Sequence, residues 1–503
     1  MTARSFLRPE ALILIAAVIF RLVALDIKPA HFDEGVNGWF ADRIAEQGYY
    51  HYDPTNYHGP LHMYAVFVSQ QLLGRNLFAL RLPAILASLA AVWMTLQFGR
   101  FLGTATARWA AIIMAVSPAF TFYGRYSIHE SGLVFFLLLT TWGIFSVWTS
   151  GSRRGLFALA GGITGMILTK ETYIIHLACF ALAFPALIFW QKLRPSDPPA
   201  ARAKPKWSLA DLVAAIAGGI FLIVLFYSGT FLDWGSLKGL YQTFAAWFST
   251  GIEKGGHAKT DYGIGPLNYY WLYLMARYEF LYLLGLLASF YVLLRPAPAL
   301  LRYLAILGAG TLVAYTIIPY KTPWLLIVML WPFGFVLGAV VAEFSKYATV
   351  PRVAAVLIGV SSLLAFRLNI LEFANPREPY AYVQTFPQIR RFTDPILKLA
   401  ARDPAAYHLR GEIILDSYYP LPWMLGDFTN VGYYKDGVGS STDAPDFAAT
   451  VVADSAKLES RFSEPYYKRP FRLRDAQDDC VAYFRAATFR DVLGDEPTVG
   501  PTQ

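Results

Sequence analysis

The amino-acid sequence predicts a polytopic α-helical membrane protein of about eleven spans, followed by a C-terminal extracytoplasmic α/β domain. Of its 503 residues, 56% are hydrophobic and only 16% are charged, whereas about 25% of the residues in soluble domains are charged. Apolar runs recur throughout residues 1–366, and several approach the roughly 20 residues that cross a bilayer as a helix. Residues 367–503 are instead polar and contain short strand-like runs. We therefore predict a membrane domain at 1–366 and a small second domain at 367–503.

Eleven apolar runs are candidate spans. They lie near residues 11–27, 78–97, 109–123, 131–149, 156–169, 172–190, 209–227, 279–294, 303–318, 323–342 and 353–366. The first run has no small-residue cleavage site at its end, so we predict a retained helix rather than a signal peptide that is removed.

The positive charges predict the orientation in the membrane. With the N-terminus inside, every inner segment carries Lys or Arg, and the only acids beside them are Glu10, Asp197 and Glu343. Because cytoplasmic loops carry the excess of Lys and Arg, the N-terminus is predicted inside and the C-terminus, after eleven crossings, outside. The net charge of +8 is then a signal of topology, and no nucleic acid is expected as a partner.

The first outer loop predicts two helices that lie in the membrane interface and form a roof over the bundle. One spans about 34–46. The other begins at Pro60 and covers about 60–73, because proline is favoured at the first position of a helix. The first of them places four apolar side chains on one helical stripe, namely Val36, Trp39, Phe40 and Ile44.

The stretch "HFDEGVNGWF" puts Asp33 and Glu34 on the outer face, at the start of this helix. A positioned carboxylate can take a proton from an attacking hydroxyl as a general base. The alternative for Asp33 is helix capping, because acids in a first turn are stabilised by the helix dipole. Val36 leaves the reciprocal capping box incomplete, which counts against capping. Glu34 points about 100° away from Asp33 around the helix axis and is a candidate for binding a metal ion or holding the roof.

Three short outer loops each carry a basic residue. "GRYSIHESG" contains Arg125 with His129 and Glu130, "TKET" contains Lys170, and "PYKTPW" contains Lys321. Charged groups turned inward near a span usually have partners, and these three cations suit an anionic ligand such as a lipid phosphate. For a lysine taken singly, the alternative is that its side chain extends to the lipid headgroups.

The histidines indicate a polar outer cavity. All eight fall at the predicted outer face, at His31, His51, His58, His62, His129, His176, His257 and His408. A single imidazole also tolerates a membrane interface, which is the alternative for each of them. The candidate ligands of a divalent metal ion are His31, Glu34, His58 and Glu130, without a spacing that decides among them. Cys179 and Cys480 are predicted on different sides of the membrane interface, so no disulfide is expected.

The C-terminal domain is predicted from "GEIILDS" and "ATVVADS", which are typical of buried strands, and from a helix at 385–401. "DSYYPLPWML" at 416–425 follows a strand and could reach an acceptor, with aromatic packing as the alternative. The outer loop at 228–278 is long and rich in glycine, and we predict that it is a movable flap.

These motifs, in this order, resemble those of the GT-C superfamily of glycosyltransferases. The series is "HFDEGVNGWFA", "YDPTNYHGPLHMY", "GRYSIHESGLVFF", "TKET", "YKTPWL" and "NPREPYAYVQT". The chain is most similar to the flippase-activity-associated subfamily, in the group that includes protein O-mannosyltransferases and aminoarabinose transferases, and the resemblance covers most of the chain. One position departs from the pattern: where relatives often have Asp in the second loop, this chain has Glu130 after His129.

The resemblance implies a GT-C-like membrane domain that moves a sugar from a polyprenyl-phosphate carrier to an acceptor hydroxyl on the outer face, with inversion. Asp33 is the expected general base, with Glu130 and Glu34 as further catalytic candidates. The residues expected to bind the donor and its leaving phosphate are Arg125, Lys170, Lys321, His58, His129 and Tyr57. A divalent metal ion is the one cofactor for which candidate ligands exist.

The implied partners are a polyprenyl-phosphate-sugar donor, an acceptor that is a glycan, lipid or protein, and the lipid bilayer. The implied location is the bacterial or archaeal cell (inner) membrane. The alternative function is that of a non-catalytic transporter or flippase accessory protein that moves a lipid-linked sugar. Transporters often contain internal repeats, and the sequence shows no convincing repeat, so the enzyme is favoured.

Overall fold

The structure is a computed structural model that describes residues 8–195, 203–249, 269–435, 444–475, 477–494 and 499. Helices dominate these residues. In chain order, α1 to α21 are Pro9–Leu22, Phe32–Gln47, Leu61–Leu73, Leu77–Gln97, Gly99–Leu102, Thr104–Val116, Pro118–Tyr123, Glu130–Ser150, Arg153–Thr169, Tyr173–Leu193, Leu209–Tyr227, Gly239–Phe248, Tyr270–Arg277, Phe280–Leu294, Ala299–Ile317, Leu326–Phe344, Thr349–Phe366, Arg390–Arg402, Leu421–Met424, Ser455–Glu459 and Ala486–Leu493. The strands β1 to β5 are Arg410–Ile414, Asn430–Tyr434, Phe447–Val451, Tyr466–Phe471 and Cys480–Arg485.

Seven helical segments of the described chain are long and apolar enough to cross a membrane, or eight if the bent pair of α13 and α14 forms one span. Each of the eleven predicted spans contains a helix. The prediction and the structure differ only in how many of these helices are long enough to cross a membrane. Four of them are short by themselves, because α1, α6, α9 and α14 have 14, 13, 17 and 15 residues, and α14 qualifies only together with α13. The run at 109–123 is broken because Ser117 caps a new helix that begins at Pro118.

The chain forms two compact units. The first contains Met1–Leu25 and Ile44–Glu372, and the second contains Asp26–Arg43 and Phe373–Gln503. The predicted boundary near residue 366 lies close to the second junction. Most of α2, which carries Asp33, groups with the C-terminal residues instead of with the membrane helices.

Close helix packing in the first unit brings two outer loops together. A Cβ atom on Gly162 of α9 would lie 2.3 Å from Thr140 Oγ1 of α8, so glycine lets these two helices approach closely. Glu130 begins α8, and Lys170 follows the last residue of α9. The close pairing of α8 and α9 therefore sets the charged ends of the two helices side by side.

The second unit contains a mixed five-stranded sheet of order β2-β1-β3-β5-β4. β1 is parallel to β2 and β3, whereas β5 is antiparallel to β3 and β4. α18 packs on the sheet through Phe392, whose ring stacks on Phe471 with the ring centroids 5.7 Å apart. The strand predicted in "GEIILDS" is confirmed, whereas "ATVVADS" is a strand only as far as Val451 and then turns into helix, and the helix predicted at 385–401 is present but begins at Arg390.

α2 packs against the loop that follows β1. A Cβ atom on Gly35 would lie 2.4 Å from Pro420 Cα, and one on Gly38 would lie 2.3 Å from Trp423 Cδ1. Any larger residue at either position would collide with this loop. The predicted apolar stripe is therefore correct only for Phe40 and Ile44, and the other buried residues of α2 are its small and polar ones, Glu34, Gly35, Asn37, Gly38 and Ala41.

The predicted flap at 228–278 is described only in part, since residues 250–268 lie outside the described residues. Its first part is tied to the first outer loop. Asp233 Oδ2 lies 2.5 Å from His51 Nδ1 and accepts a hydrogen bond from Ser236 Oγ at 2.5 Å. Movement of this loop stays a prediction.

Candidate active site

The first turn of α2 is capped by two neighbours of Asp33. His31 Nδ1 accepts a hydrogen bond from the Asp33 backbone N–H at 3.1 Å, and Glu34 Oε2 accepts one from the His31 backbone N–H at 2.8 Å. This is a reciprocal cap with histidine at the N-cap and glutamate three residues later. The prediction that Val36 leaves the capping box incomplete is wrong, because the helix begins at Phe32 and its third residue is Glu34.

The Asp33 carboxylate takes no part in this cap. Its side chain is 37% exposed, and its Oδ2 lies 3.8 Å from His31 Nδ1. His31 Nε2 donates to the Tyr382 carbonyl at 3.0 Å, so a ring that also accepts at Nδ1 is the neutral tautomer and forms no ion pair with Asp33. An accessible carboxylate beside a neutral imidazole can accept a proton from a bound hydroxyl.

A buried arginine lies close to Asp33 in the second unit. Arg474 is 3% exposed, and its guanidinium donates to Ser417 Oγ at 3.4 Å and to the Tyr419 carbonyl. Burial lowers the pKa of Arg474 to about 10, while the charge of Asp33 acts to raise it, so the guanidinium is charged at neutral pH. Sequence reasoning missed this residue, because nothing local distinguishes Arg474 from the half-buried Arg472.

The outer loops of the first unit bring together two buried ion pairs. Lys170 Nζ lies 2.7 Å from Glu130 Oε1, and His58 Nδ1 lies 2.9 Å from Glu171 Oε2. The backbones of His58 and Lys170 pair as a short antiparallel bridge. Gly59 permits this approach, because a Cβ atom there would lie 2.2 Å from a carbonyl oxygen of α9. The motifs "NYHGP" and "TKET" therefore form one cluster, in which Glu171 is a member that the predicted site did not include.

The charges of this cluster stabilise one another. Burial alone would lower the pKa of Lys170, but the carboxylates of Glu130 and Glu171 raise it above its ordinary value. Burial alone would also raise the pKa of Glu171, but Lys170 and His58 lower it. Two carboxylates thus face one lysine, so the cluster carries no excess positive charge.

Three imidazole rings contact one another at tilted angles beside the ion pairs. The ring centroid of His129 lies 4.4 Å from that of His58 and 4.6 Å from that of His62, whose Nε2 is 3.0 Å from Ser127 Oγ. His129 is buried, and its Nε2 has no hydrogen-bond partner. Burial and the neighbouring His58, His62 and Lys170 hold the pKa of His129 well below its usual range, so the ring is neutral.

Tyr57 adopts an unusual backbone conformation next to this cluster. Its φ of 45° lies in the left-handed region, which costs a non-glycine residue free energy. Its carbonyl accepts a hydrogen bond from Thr243 Oγ1 at 3.0 Å, and its ring meets that of His58 edge-on at 4.9 Å. These contacts hold the turn that presents His58.

The other two predicted phosphate ligands contact backbone carbonyls. Arg125 Nη2 donates to the Ala24 carbonyl at 2.6 Å, just beyond α1, and Lys321 Nζ donates to the carbonyls of Tyr315 and Thr316 at 2.6 and 3.0 Å, at the end of α15. Cations at helix C-termini satisfy carbonyls that lack an intrahelical partner. Both side chains are buried, so neither extends to lipid headgroups. Donor binding by Arg125 and Lys321 stays a prediction.

The candidate metal ligands are engaged elsewhere. Both ring nitrogens of His31 have partners, and Glu34 caps α2. His58 pairs with Glu171, and Glu130 pairs with Lys170. Across the ranges that the structure describes, no three His, Cys, Asp or Glu side chains are placed to hold a metal ion. The residues present therefore do not fit a metal centre, and dependence on a divalent ion stays a prediction.

Comparison with known proteins identifies related sequences and structures. Residues 57–198, which contain the cluster around Lys170, match the family model for dolichyl-phosphate-mannose-protein mannosyltransferase. No curated protein sequence matches the chain significantly. The structure is similar to that of ArnT from Cupriavidus metallidurans in the apo state, with a TM-score of 0.61 and 15% sequence identity over 98% of both chains. It is also similar to ArnT bound to undecaprenyl phosphate, with a TM-score of 0.65 and 13% identity over 100% of both chains.

The matched family and ArnT are glycosyltransferases. At these identities the likeness to ArnT establishes the fold, and it extends over both units of this chain. The resemblance and the fold class predicted from the sequence are thereby confirmed. The chain is a multi-pass membrane protein with the fold of ArnT and a small C-terminal sheet domain.

Proposed function

We propose that the protein transfers a sugar from a polyprenyl-phosphate carrier to an acceptor hydroxyl, with inversion at the anomeric carbon. The observation that carries the proposal is the Asp33 carboxylate, which is partly exposed. It takes no part in the helix cap, whose hydrogen bonds are made by the side chains of His31 and Glu34. ArnT, which is similar in fold, has been solved bound to undecaprenyl phosphate. The family model that matches residues 57–198 is named for a dolichyl-phosphate-mannose donor. Both findings support a polyprenyl-phosphate donor for this chain.

In the proposed reaction, Asp33 accepts the proton of the acceptor hydroxyl while the hydroxyl oxygen bonds to the anomeric carbon. The bond from that carbon to the phosphate oxygen breaks, and its electron pair leaves with the polyprenyl phosphate. Proton transfer to a positioned carboxylate accelerates such a step by roughly 10² to 10⁴. Glu34 does not compete for this role, because it is buried and accepts the His31 N–H. Its part in the reaction is to hold the first turn of α2.

For the leaving phosphate we propose Lys170 and His129. Lys170 is held charged by Glu130, and a phosphate oxygen could share its ammonium group with that carboxylate. His129 Nε2 is buried without a partner, and a buried unsatisfied polar group costs about 1–3 kcal/mol, which a hydrogen bond to the phosphate would offset. The ring of His58 contacts those of His129 and Tyr57, so the first outer loop also contributes to this cluster.

The finer description of the membrane protein belongs to this proposal as well. We place the N-terminus in the cytoplasm, because the inner loops carry the Lys and Arg residues. Asp33, the proposed phosphate ligands Lys170 and His129, and the C-terminus then lie outside the bacterial or archaeal membrane. The acceptor would then be a glycan, lipid or protein of the cell envelope. Reporter fusions at Gln503 test this, and a C-terminus found in the cytoplasm would contradict the assignment of faces.

Turnover can be measured with the purified protein in lipid nanodiscs. The donors are undecaprenyl-phosphate-linked mannose, glucose, galactose and aminoarabinose, each supplied with a solubilised envelope extract, and released undecaprenyl phosphate is quantified by mass spectrometry. We expect Asp33→Asn to reduce release by at least about 10²-fold while the protein still binds undecaprenyl phosphate. Asp26→Asn, an exposed carboxylate in the same unit, is the matched control and should behave as wild type.

Near-normal release by Asp33→Asn would contradict the proposed base and direct attention to Glu130. The transporter alternative predicts a different pattern. In that case the wild-type protein binds a lipid-linked sugar but releases no carrier phosphate from any of the donors, and Asp33→Asn changes nothing.

A further inference from the structure

We infer that Arg474 is a positioning residue for Asp33, placed to attract its carboxylate without occupying the carboxylate oxygens. The inference rests on the proposed function of Asp33 and adds to it a residue from the C-terminal part of the chain. Both residues belong to the second unit.

The guanidinium of Arg474 joins two segments of this unit. On one side its Nη1 donates to Ser417 Oγ at 3.4 Å and its Nη2 donates to the Tyr419 carbonyl, in the loop that follows β1. On the other side it lies over the ring of Phe32, with Cζ 4.8 Å from the ring centroid. Phe32 is the first residue of α2 and meets Tyr419 edge-on at 5.6 Å. Arg474 thus fixes the turn from which Asp33 extends.

The charge of Arg474 lies over Phe32, the residue before Asp33, and is therefore placed to attract the Asp33 carboxylate as well. The hydrogen bonds of its terminal nitrogens go to Ser417 and Tyr419, and its Nε has no hydrogen-bond partner. A bidentate ion pair would cover both oxygens of a carboxylate. The charge of Arg474, which forms no such ion pair with Asp33, attracts the carboxylate and leaves an oxygen open to the proton of a hydroxyl. Because Arg474 is 3% exposed, solvent and salt screen this attraction less than they screen a surface pair.

Gln477 supports this arrangement. Its Nε2 donates to the Ser417 carbonyl at 2.7 Å, so the same loop residue is held by two side chains from the segment after β4. A purely structural function for Arg474 would be to hold this loop. That function depends on the planar fork of the guanidinium, whereas attraction of Asp33 depends on the positive charge, and two substitutions separate them.

The first experiment compares Arg474→Lys with Arg474→Met in the nanodisc assay. Both variants lose the fork and should lower the thermal midpoint by similar amounts, but only Lys keeps the charge. We expect kcat to fall about 10- to 100-fold in Arg474→Met with KM for the donor unchanged, and to stay within about fivefold of wild type in Arg474→Lys. Arg472→Met is the matched control and should leave kcat unchanged, because the Arg472 side chain is 41% exposed.

Two results of this comparison would overturn the inference. Equal losses of kcat in the Lys and Met variants would assign Arg474 to loop packing alone, and wild-type kcat in both would remove it from the site. The proposed function would stand in either case, provided that Asp33→Asn is inactive.

A second measurement does not depend on turnover. In an Asp33→Cys protein, the new thiol is labelled with an anionic and with a cationic methanethiosulfonate reagent, and the ratio of the two rates reports the local potential, since the thiolate fraction cancels. Mass spectrometry of the peptide that carries position 33 separates this labelling from that of Cys179 and Cys480. Adding Arg474→Met should lower the anionic-to-cationic ratio by about threefold or more, and adding Arg472→Met should not change it. An unchanged ratio with Arg474→Met would overturn the inference even if transfer is observed.

Discussion

Separating the buried pair of Lys170 and Glu130 should destabilise the first unit by about 3–5 kcal/mol. The two charged atoms are 2.7 Å apart, and the side chains are 6% and 2% exposed, so Lys170→Met leaves Glu130 as a buried charge without this partner. Replacing Glu130 as well, in Lys170→Met/Glu130→Gln, removes the unpaired charge. We therefore expect the double variant to be more stable than Lys170→Met, with a coupling energy of about 2–3 kcal/mol between the two sites.

The measurement is reversible unfolding of the purified protein in mixed micelles of increasing SDS content, followed by far-UV circular dichroism. Arg153→Met is the control in the same unit. Arg153 Nε lies 2.6 Å from Asp211 Oδ1, but the Arg153 side chain is 66% exposed, so this pair should contribute only about 0.2–1 kcal/mol. The reasoning would be refuted if the single effects were additive and the double variant were the least stable. It would also be refuted if Lys170→Met cost no more than Arg153→Met.

Two further predictions concern a close contact and a buried ring. Gly35→Ala should destabilise the second unit by roughly 1–3 kcal/mol, because the added Cβ would lie 2.4 Å from the backbone of Pro420. Gly218→Ala is the control and should be tolerated, because no atom lies within 4 Å of the added Cβ. Equal melting midpoints for the two variants would contradict this prediction. Burial lowers the pKa of His129, so below about pH 6.5 this histidine binds a proton in the unfolded chain but not in the folded protein. The free energy of unfolding of the wild type should therefore decrease as the pH is lowered, by up to about 1.4 kcal/mol per pH unit. His129→Gln should show a shallower dependence in the same unfolding measurement, and parallel curves would exclude His129 as the cause.

Local signals account for what could be predicted of the fold. Apolar runs, basic loops and Pro60 depend on residues close in sequence, and each predicted span and both predicted interfacial helices are helical in the structure. Fewer helices than predicted spans meet the length criterion, because a local break, such as that between Ser117 and Pro118, divides an apolar run without changing its hydropathy.

The capping of α2 shows how one residue of uncertainty changes an interpretation. The sequence predicts Asp33 as the candidate base and a helix that begins after Asp33, which would put Val36 at the third helical position, whereas the helix in fact begins at Phe32. In the structure Glu34 occupies the third helical position and completes the cap with His31. The position at which the helix begins decides that His31 and Glu34 form the cap and that the carboxylate of Asp33 remains accessible to solvent.

The sequence by itself determined the membrane class, the order of the polar outer motifs and the position of Asp33, because hydropathy, charge bias and motif spacing are local properties. Only the tertiary structure decided which side chains meet. It paired Lys170 with Glu130, directed Lys321 to the end of α15, and placed Arg474 over the ring of Phe32, the residue before Asp33. A buried charge must find an opposite charge or a carbonyl wherever the packed backbone supplies one, and that partner is set by long-range packing rather than by neighbouring residues.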